Sequence, residues 1–280
     1  MGSLSHRTYH EVAGADTSGL AAQVAAQRRR VVDRLAGVAR VVAVVSGKGG
    51  VGKTFVTAAL ARSVAPRCPG GVGVLDADLK SPTAARMLGA TGPLRIEDGA
   101  VHPAVGEHGV KVVSTELLLD DGAPLRWTGP SGEEFLWRGI LETGALRELL
   151  SDVAWGPLDL LLVDMPPDTD RLADLAALVP ALAGAVFVTI PSEESRRSVE
   201  RAMHSANDAR VRMLGIVENM SGYLCAGCGT SAPLFDGNAA ALLSGAFGVP
   251  VLARVPLASP GTRPEEALRG LASAFMEVLP

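Results

Sequence analysis

The residues that follow the first apolar run constrain this chain more than any other feature. That run, Val41–Val45, is followed at once by the sequence Ser46-Gly47-Lys48-Gly49-Gly50-Val51-Gly52-Lys53-Thr54 and then by a helical pattern. The sequence fits the phosphate-loop pattern G-x-x-x-x-G-K-[ST] in the required order of strand, loop and helix. Glycines let such a loop point its backbone N–H groups at phosphates, while the lysine supplies positive charge to them. We therefore predict that residues 47–54 bind a nucleotide, rather than form a plain glycine-rich turn.

Short runs of Val, Ile and Leu recur along the chain and predict its strands. These runs are Val41–Val45, Val72–Leu75, Val110–Val113, Leu158–Val163, Ala185–Ile190, Val211–Val217 and Pro250–Val255. They are continuous rather than alternating, which is typical of strands that helices cover on both faces. Helical patterns occupy most of the gaps, at Lys53–Val64, Glu133–Leu150, Leu172–Leu182, Glu193–Ala209, Asn238–Phe247 and Pro264–Val278. We therefore predict an α/β P-loop NTPase fold with a mostly parallel sheet, helices on both faces, and ligands at the carboxyl ends of the strands.

Two parts are predicted along the chain. Residues 1–37 form an N-terminal extension with a helix that begins after a cap at Asp16 or Thr17 and ends at Leu35. Residues 38–280 form the P-loop NTPase domain, with a cysteine-containing loop near residue 225. Within that domain, the Gly- and Pro-rich stretch Gly89–Gly109 is predicted to be an elaborated loop or a hairpin.

Composition limits the partners and the compartment. Hydrophobic residues make up 48% of the 280 residues, which favours a sizeable core and excludes disorder as the main state. The net charge of −4 provides no general attraction to nucleic acid or to an anionic membrane. The N-terminus has no apolar stretch typical of a signal peptide, and the apolar run Leu175–Pro191 is interrupted by Pro180 and Gly184. We therefore expect a cytoplasmic protein that binds neither nucleic acid nor a membrane.

Acidic residues end two of the predicted strands. Asp76 and Asp78 follow the second strand, and Asp164 ends a later one, so these carboxylates are expected at the same edge of the sheet as the loop. An aspartate in such a place is also a common turn or cap residue. Beside a phosphate loop, however, we expect Thr54 and Asp164 to hold Mg²⁺, the latter directly or through water. Asp78 is our candidate to orient or activate the attacking water.

A pair of cysteines, Cys225 and Cys228, has the spacing of a metal or redox site. Two thiolates do not complete a four-thiolate zinc site or an iron–sulfur cluster, and Cys68 adds at most a third. A two-fold axis near the pair brings together four thiolates from two chains. Taken alone, the pair is compatible with zinc, with a cluster, with a redox dithiol or with an inert pair.

The combination of motifs resembles a known family. The string GKGGVGKT, residues 47–54, resembles the deviant Walker A motif of ParA/MinD P-loop NTPases. Together with DADL (residues 76–79), VDMPP (163–167) and ENMS (218–221) followed by CxxC, it makes Leu35–Leu279 similar to the Mrp-type iron–sulfur cluster carriers, which are related to MinD.

That resemblance implies a specific activity. It implies slow ATP hydrolysis, with Lys48, Lys53 and Asp78 as catalytic residues, and a homodimer in which Lys48 reaches the nucleotide of the partner subunit. It implies that Asn219 recognises adenine. It also implies a [4Fe-4S] cluster that Cys225 and Cys228 of both subunits bridge and that is delivered to client apoproteins. ATP, Mg²⁺ and the cluster are thus the expected cofactors.

The chain also departs from that family pattern. Phe55 stands where the family usually has a hydroxyl residue near the α phosphate, which predicts weaker nucleotide binding. Asp168-Thr169-Asp170-Arg171 replaces a Gly-Thr-Gly-Asp segment, and the loss of two glycines predicts impaired switching or hydrolysis. Lys80-Ser81 replaces an aromatic-Gly pair.

Two other functions fit the motifs less completely. One is a ParA/MinD-like ATP switch that positions cargo on a nucleoid or a membrane. The final helix carries Glu265, Glu266 and Glu277 against Arg269, and so lacks the basic face of a membrane-targeting helix. The other is a nucleotide-binding dimer in which zinc at the cysteine pair only joins the two subunits.

Overall fold

A computed structural model describes residues 20–118, 144–167, 171–225, 227–258 and 264–280. The helices are α1 (Leu20–Leu35), α2 (Lys53–Val64), α3 (Ala84–Met87), α4 (helical over residues 144–152), α5 (Arg171–Leu178), α6 (Glu193–Asp208), α7 (Ala239–Phe247) and α8 (Glu265–Val278). The strands are β1 (Val41–Ser46), β2 (Val72–Asp76), β3 (Arg95–Glu97), β4 (Ala100–His102), β5 (Ala104–Val105), β6 (Lys111–Val113), β7 (Leu160–Asp164), β8 (Leu182–Thr189), β9 (Met213–Leu224), β10 (Ser231–Ala232) and β11 (Val251–Ala258).

The central sheet has the order β10-β9-β8-β1-β7-β2-β6-β5, and β11 also pairs with β9. The pairs β1–β7, β1–β8, β2–β6, β2–β7, β8–β9 and β9–β11 are parallel, whereas β5–β6 and β9–β10 are antiparallel. Strands β3 and β4 form a separate antiparallel hairpin within Gly89–Gly109, as predicted. The predicted fold, with a mostly parallel sheet, is confirmed.

Apolar clusters cover both faces of this sheet. In β1, Val41, Ala43 and Val45 belong to one cluster, together with residues of α1, α4, α5, α6 and α7. Val42 and Val44 belong to the other, with residues of α2, α3 and α8. Because neighbouring strand residues point to opposite faces, a strand buried on both sides needs an unbroken apolar run. This burial explains the continuous runs in the sequence.

Helix α1 packs on the first face of the sheet through Val31 and Leu35, which are both buried. Its predicted cap at residues 16–17 lies outside the described residues, as do residues 133–143 of another predicted helix. The division of the chain at residue 37 stays a prediction. In the part of the chain that the structure describes, every helix is too short or too polar to span a bilayer.

Two predicted boundaries were wrong by four residues or more. The helix predicted over Leu172–Leu182 ends at Leu178, and Leu182 begins β8, because Pro180 has no N–H with which to continue the helix. The strand predicted over Val211–Val217 continues as β9 to Leu224, beyond the polar segment Glu218–Ser221. Its extension is paired with β11, with Asn219 opposite Val255 and Tyr223 opposite Leu257.

Candidate functional site

The loop between β1 and α2 lies at the carboxyl end of the sheet, and close contacts explain its glycines. Gly50 and Gly52 have φ angles of 79° and 76°, which side chains rarely adopt. A Cβ on Gly47 would lie 2.1 Å from the backbone carbon of Ser198 in α6. One on Gly52 would lie 2.2 Å from Nδ2 of Asn219 in β9. The glycines of the loop therefore let it curl against two neighbouring elements.

Lys53 begins α2 and is buried, with a relative exposure of 6%. Its Nζ lies 2.7 Å from Oδ1 of Asp164, the last residue of β7. The angles of this ion pair do not make a hydrogen bond, and among the described residues Nζ has no other acceptor. A buried ammonium with unused donors is costly on its own. The phosphate oxygens of a nucleotide in the loop would satisfy it, so the lysine fits that ligand.

Asp164 also contacts the first turns of α2. Thr54 Oγ1 donates a hydrogen bond to Asp164 Oδ2 at 2.6 Å, and Thr57 Oγ1 lies 2.8 Å from Oδ1. A hydroxyl that donates its proton keeps its lone pairs free for a cation. Thr54 and Asp164 are thus hard oxygen ligands next to the phosphate loop, which is the donor type that Mg²⁺ takes. The residues predicted for Mg²⁺ lie together and fit that ion.

Asp76 ends β2 directly opposite Asp164 in β7. Its buried carboxylate accepts hydrogen bonds from the backbone N–H groups of Asp78, Thr83 and Ala84 and from the hydroxyl of Ser114, as four separate contacts. Burial, followed by the charge of Asp164, raises the pKa of Asp76 to about 7. The sequence alone favours Asp78 over Asp76, because the string Asp76-Ala77-Asp78 does not display which carboxylate is buried.

Asp78 lies in the turn after β2 and is half-buried. Its Oδ1 accepts a hydrogen bond from the N–H of Ser81 at 3.3 Å. It lines a small cavity together with Lys80, Pro166 and Arg171. The structure therefore places it at the predicted edge of the sheet, in a different cluster from that of Lys53 and Thr54. Residues 168–170 of the segment with fewer glycines lie outside the described residues.

Lys48 is half-buried in the loop, and its carbonyl accepts a hydrogen bond from the Ser46 hydroxyl at 3.0 Å. That hydrogen bond stabilises the first turn of the loop through the backbone of Lys48 and does not involve its ammonium group. The observation is compatible with the predicted reach of Lys48 toward a partner subunit.

Asn219 lies beside the loop and is buried, and its Nδ2 donates to the carbonyl of Val51 at 2.9 Å. It lines a cleft of about 640 Å³ that opens at Gly52, between α2, α8 and the ends of β9 and β11. Because Nδ2 is engaged by the loop, the amide presents its oxygen as an acceptor. The exocyclic amine of adenine is a donor, so the amide fits the base predicted for it.

Cys225 and Cys228 lie in the turn between β9 and β10. The N–H of Cys225 donates to the carbonyl of Thr230, and the N–H of Gly229 donates to the carbonyl of Cys225, at 3.0 and 2.9 Å. Cys228 is exposed and Cys225 is partly exposed. Hydrogen bonds from Thr230, and then from Cys225, lower the pKa of the Cys228 thiol. A thiol with a lowered pKa forms the thiolate that binds metals more readily.

Cys68 lies elsewhere. It is buried just before β2 begins, at the amino end of the parallel strands, whereas the cysteine turn follows the carboxyl end of β9. Burial raises the pKa of its thiol. Cys68 therefore cannot join the pair within one chain. Within the described ranges, no group of three or more His, Cys, Asp or Glu side chains could hold a metal ion.

Known proteins match this chain over most of its length. The family model ParA, described as NUBPL iron-transfer P-loop NTPase, matches residues 37–271. An iron-sulfur cluster carrier protein of Saccharolobus solfataricus is 38% identical over 238 residues, which cover 84% of this chain and 77% of that protein. The cytosolic Fe-S cluster assembly factor cfd1 of Aspergillus fumigatus is 36% identical over 251 residues, covering 80% and 77%.

A solved structure is also similar. The nucleotide-binding protein of Archaeoglobus fulgidus in complex with ADP has a TM-score of 0.70 and 31% identity, and the match covers 90% of this chain and 97% of that one. The match shows that the two chains share a fold. Taken with the family model, which spans most of the sequence, these similarities show that the chain belongs to the ParA family of NUBPL iron-transfer P-loop NTPases.

Proposed function

We propose that this protein is an ATP-binding iron–sulfur cluster carrier, which assembles a [4Fe-4S] cluster between two copies of the chain and transfers it to apoproteins. One observation supports this most directly. Strand β9 holds Asn219 against the phosphate loop and, six residues later, leads into the cysteine turn. The strand is irregular between these two points, because Met220 has a φ of 52° and four residues of β9 correspond to two of β11. Nucleotide and cluster would therefore bind at two places along the same strand, less than about 20 Å apart.

The nucleotide would lie with its phosphates in the loop. Backbone N–H groups of residues 47–54 would bind the phosphate oxygens, together with the donors of Lys53 Nζ that its ion pair with Asp164 leaves over. Thr54 and Asp164 would hold Mg²⁺, directly or through water, and that ion would neutralise charge on the β and γ phosphates. Asn219 would accept a hydrogen bond from adenine. We propose slow hydrolysis, with Asp78 orienting the attacking water.

The cluster would need a second chain. Each chain offers two partly exposed thiols in one turn, and a [4Fe-4S] cluster takes four thiolates. A homodimer with its two-fold axis near the turn provides them. Tyr223, Leu234 and Phe235 lie near the cysteines in sequence and are each about 40% exposed, so apolar surface is available for such contact. Lys48 would reach the partner's nucleotide in that dimer.

The carrier proposal includes partners and a compartment. Relatives named as carriers and as a cytosolic assembly factor support client apoproteins as partners and the cytoplasm as the location. The positioning-switch alternative is disfavoured because α8 has a predominantly acidic rather than a basic polar face.

A transfer assay tests the proposed function. Cluster-loaded protein is incubated anaerobically with an apo-enzyme that needs a [4Fe-4S] cluster, and recovery of that enzyme's activity is followed with and without ATP. We expect recovery with the wild-type chain, and none with Cys225→Ser treated in the same way. A chelator of free iron in the assay separates transfer from release and rebuilding. Recovery that the chelator abolishes would contradict direct transfer.

A further inference from the structure

Phe55 occupies an unusual place for an aromatic residue. It is the third residue of α2, directly after Thr54, and it lies on the wall of the cleft that opens at Gly52. Its side chain is half-buried and packs against the apolar cluster that includes Leu271 and Phe275 of α8. The ring is therefore supported from behind by the core while it also borders the cleft.

The cleft is the part of the site that a nucleoside would reach. Gly52 and Asn219 line its end next to the phosphate loop, and Met220, Pro256 and Leu257 line it further along. Its volume of about 640 Å³ is within the range of small-molecule pockets, roughly 300–1,000 Å³. A nucleotide whose phosphates lie in the loop would extend its ribose and base past Gly52 into this space.

The chemistry of the ring differs from that of a hydroxyl residue. A phenyl side chain has neither a donor nor an acceptor for a phosphate oxygen, so only the backbone N–H of residue 55 is available to the phosphates. At the start of a helix that N–H is not used by the helix itself. The ring instead presents an apolar π face, which packs well against a sugar or a base.

We propose that Phe55 is a specificity-determining residue for the nucleoside part of the nucleotide. Its ring packs against the ribose and base. The nucleoside therefore contributes more to the affinity for the nucleotide than it would with a hydroxyl residue at this position. The inference rests on the proposed function, because it requires a nucleotide with its phosphates in the loop. Stacking of a base on an aromatic side chain changes affinity by about 5- to 100-fold in proteins that bind single-stranded nucleic acid.

The test compares a ligand that has a nucleoside with one that lacks it. Dissociation constants for ATP and for inorganic tripolyphosphate are measured by calorimetry at a fixed Mg²⁺ concentration. In Phe55→Leu, which keeps an apolar side chain against α8, we expect the preference for ATP over tripolyphosphate to fall about tenfold, with tripolyphosphate binding changed less than twofold. Phe55→Tyr, which keeps the ring, should retain the preference. Phe55→Thr serves as a second variant and should lose it.

Leu242→Met is the control. Leu242 is exposed on α7, which packs on the opposite face of the sheet from α2 and does not line the cleft. The control should leave both constants unchanged. Equal weakening of both ligands in Phe55→Leu and Phe55→Thr, or an unchanged preference in both, would overturn the inference without contradicting the proposed function. Failure of the wild-type chain to bind ATP would overturn the proposed function, and the inference with it.

Discussion

The ammonium of Lys53 and the carboxylate of Asp164 form a buried ion pair between the start of α2 and the end of β7, with 2.7 Å between Nζ and Oδ1. The same carboxylate accepts the hydroxyl proton of Thr54. The end of β7 thus positions both the ammonium of Lys53, which would bind a nucleotide phosphate, and the hydroxyl of Thr54, which would bind its cation.

Replacement of the two loop lysines should separate binding from dimerisation. Lys53→Ala removes the buried ammonium that would bind the phosphates. We therefore expect the affinity for ATP, measured by calorimetry, to fall at least about tenfold. Lys48→Ala should leave ATP binding by the monomer within about threefold, but abolish the ATP-dependent dimer in sedimentation. A Lys48→Ala chain that still dimerises with ATP would rule out its role across the interface.

Two glycines with the same backbone conformation should respond differently to alanine. Gly50 and Gly52 both have φ near 80°, so each substitution costs about 1 kcal/mol of strain. A Cβ at Gly50 meets open space, whereas at Gly52 it would displace the Asn219 amide from Val51. We expect Gly52→Ala to lower the free energy of unfolding in urea by about 1–3 kcal/mol more than Gly50→Ala does, because it also breaks a buried hydrogen bond. Equal losses in the two variants would show that the Asn219 contact contributes little.

Asp76 should make stability depend on pH. Its pKa is raised from 3.8 in the unfolded reference to about 7 in the folded chain, chiefly by burial. The folded state therefore holds the proton over a pH range in which the unfolded state has lost it. The stability this provides is complete below about pH 4 and is lost as the pH rises through about 7.

The measurement is urea unfolding between pH 5 and 8, with a chelator to remove Mg²⁺. We expect the wild-type chain to lose roughly 2–4 kcal/mol over this pH range, and Asp76→Asn to lose much less, because its amide does not titrate. Asp78→Asn is the matched control and should follow the wild-type curve. Parallel curves for wild-type and Asp76→Asn chains would show that another group titrates.

Much of the fold could be predicted because its signals are local. Burial on both faces requires continuous apolar runs, and the loop requires glycines where α6 and β9 approach it. Lys53, Thr54 and Asp164 could also be predicted to lie close together. The first two begin the helix after the loop and the third ends a parallel strand, and such ends meet at one edge of the sheet.

The rest depends on tertiary contacts that the sequence does not display. Polar residues from Glu218 to Gly222 resemble a strand end. They nevertheless continue β9, because β11 pairs with Glu218 and Asn219 before the irregular part and with Tyr223 and Leu224 after it, and because Glu218 binds Arg254 and the N–H of Ala240. Likewise, nothing in the string DAD tells which carboxylate is buried. That is decided by Thr83, Ala84 and Ser114, whose donors surround Asp76.

The proposed carrier shares one cluster between the cysteine turns of two chains. The most direct test of this claim is the content of iron, labile sulfide and zinc per chain in the dimer fraction after anaerobic reconstitution. We predict about two irons and two sulfides per chain, close to none in Cys225→Ser, and the wild-type content in Cys68→Ser, whose thiol is buried at the opposite edge of the sheet. About half a zinc per chain with no sulfide, or a full cluster in Cys225→Ser, would contradict the claim.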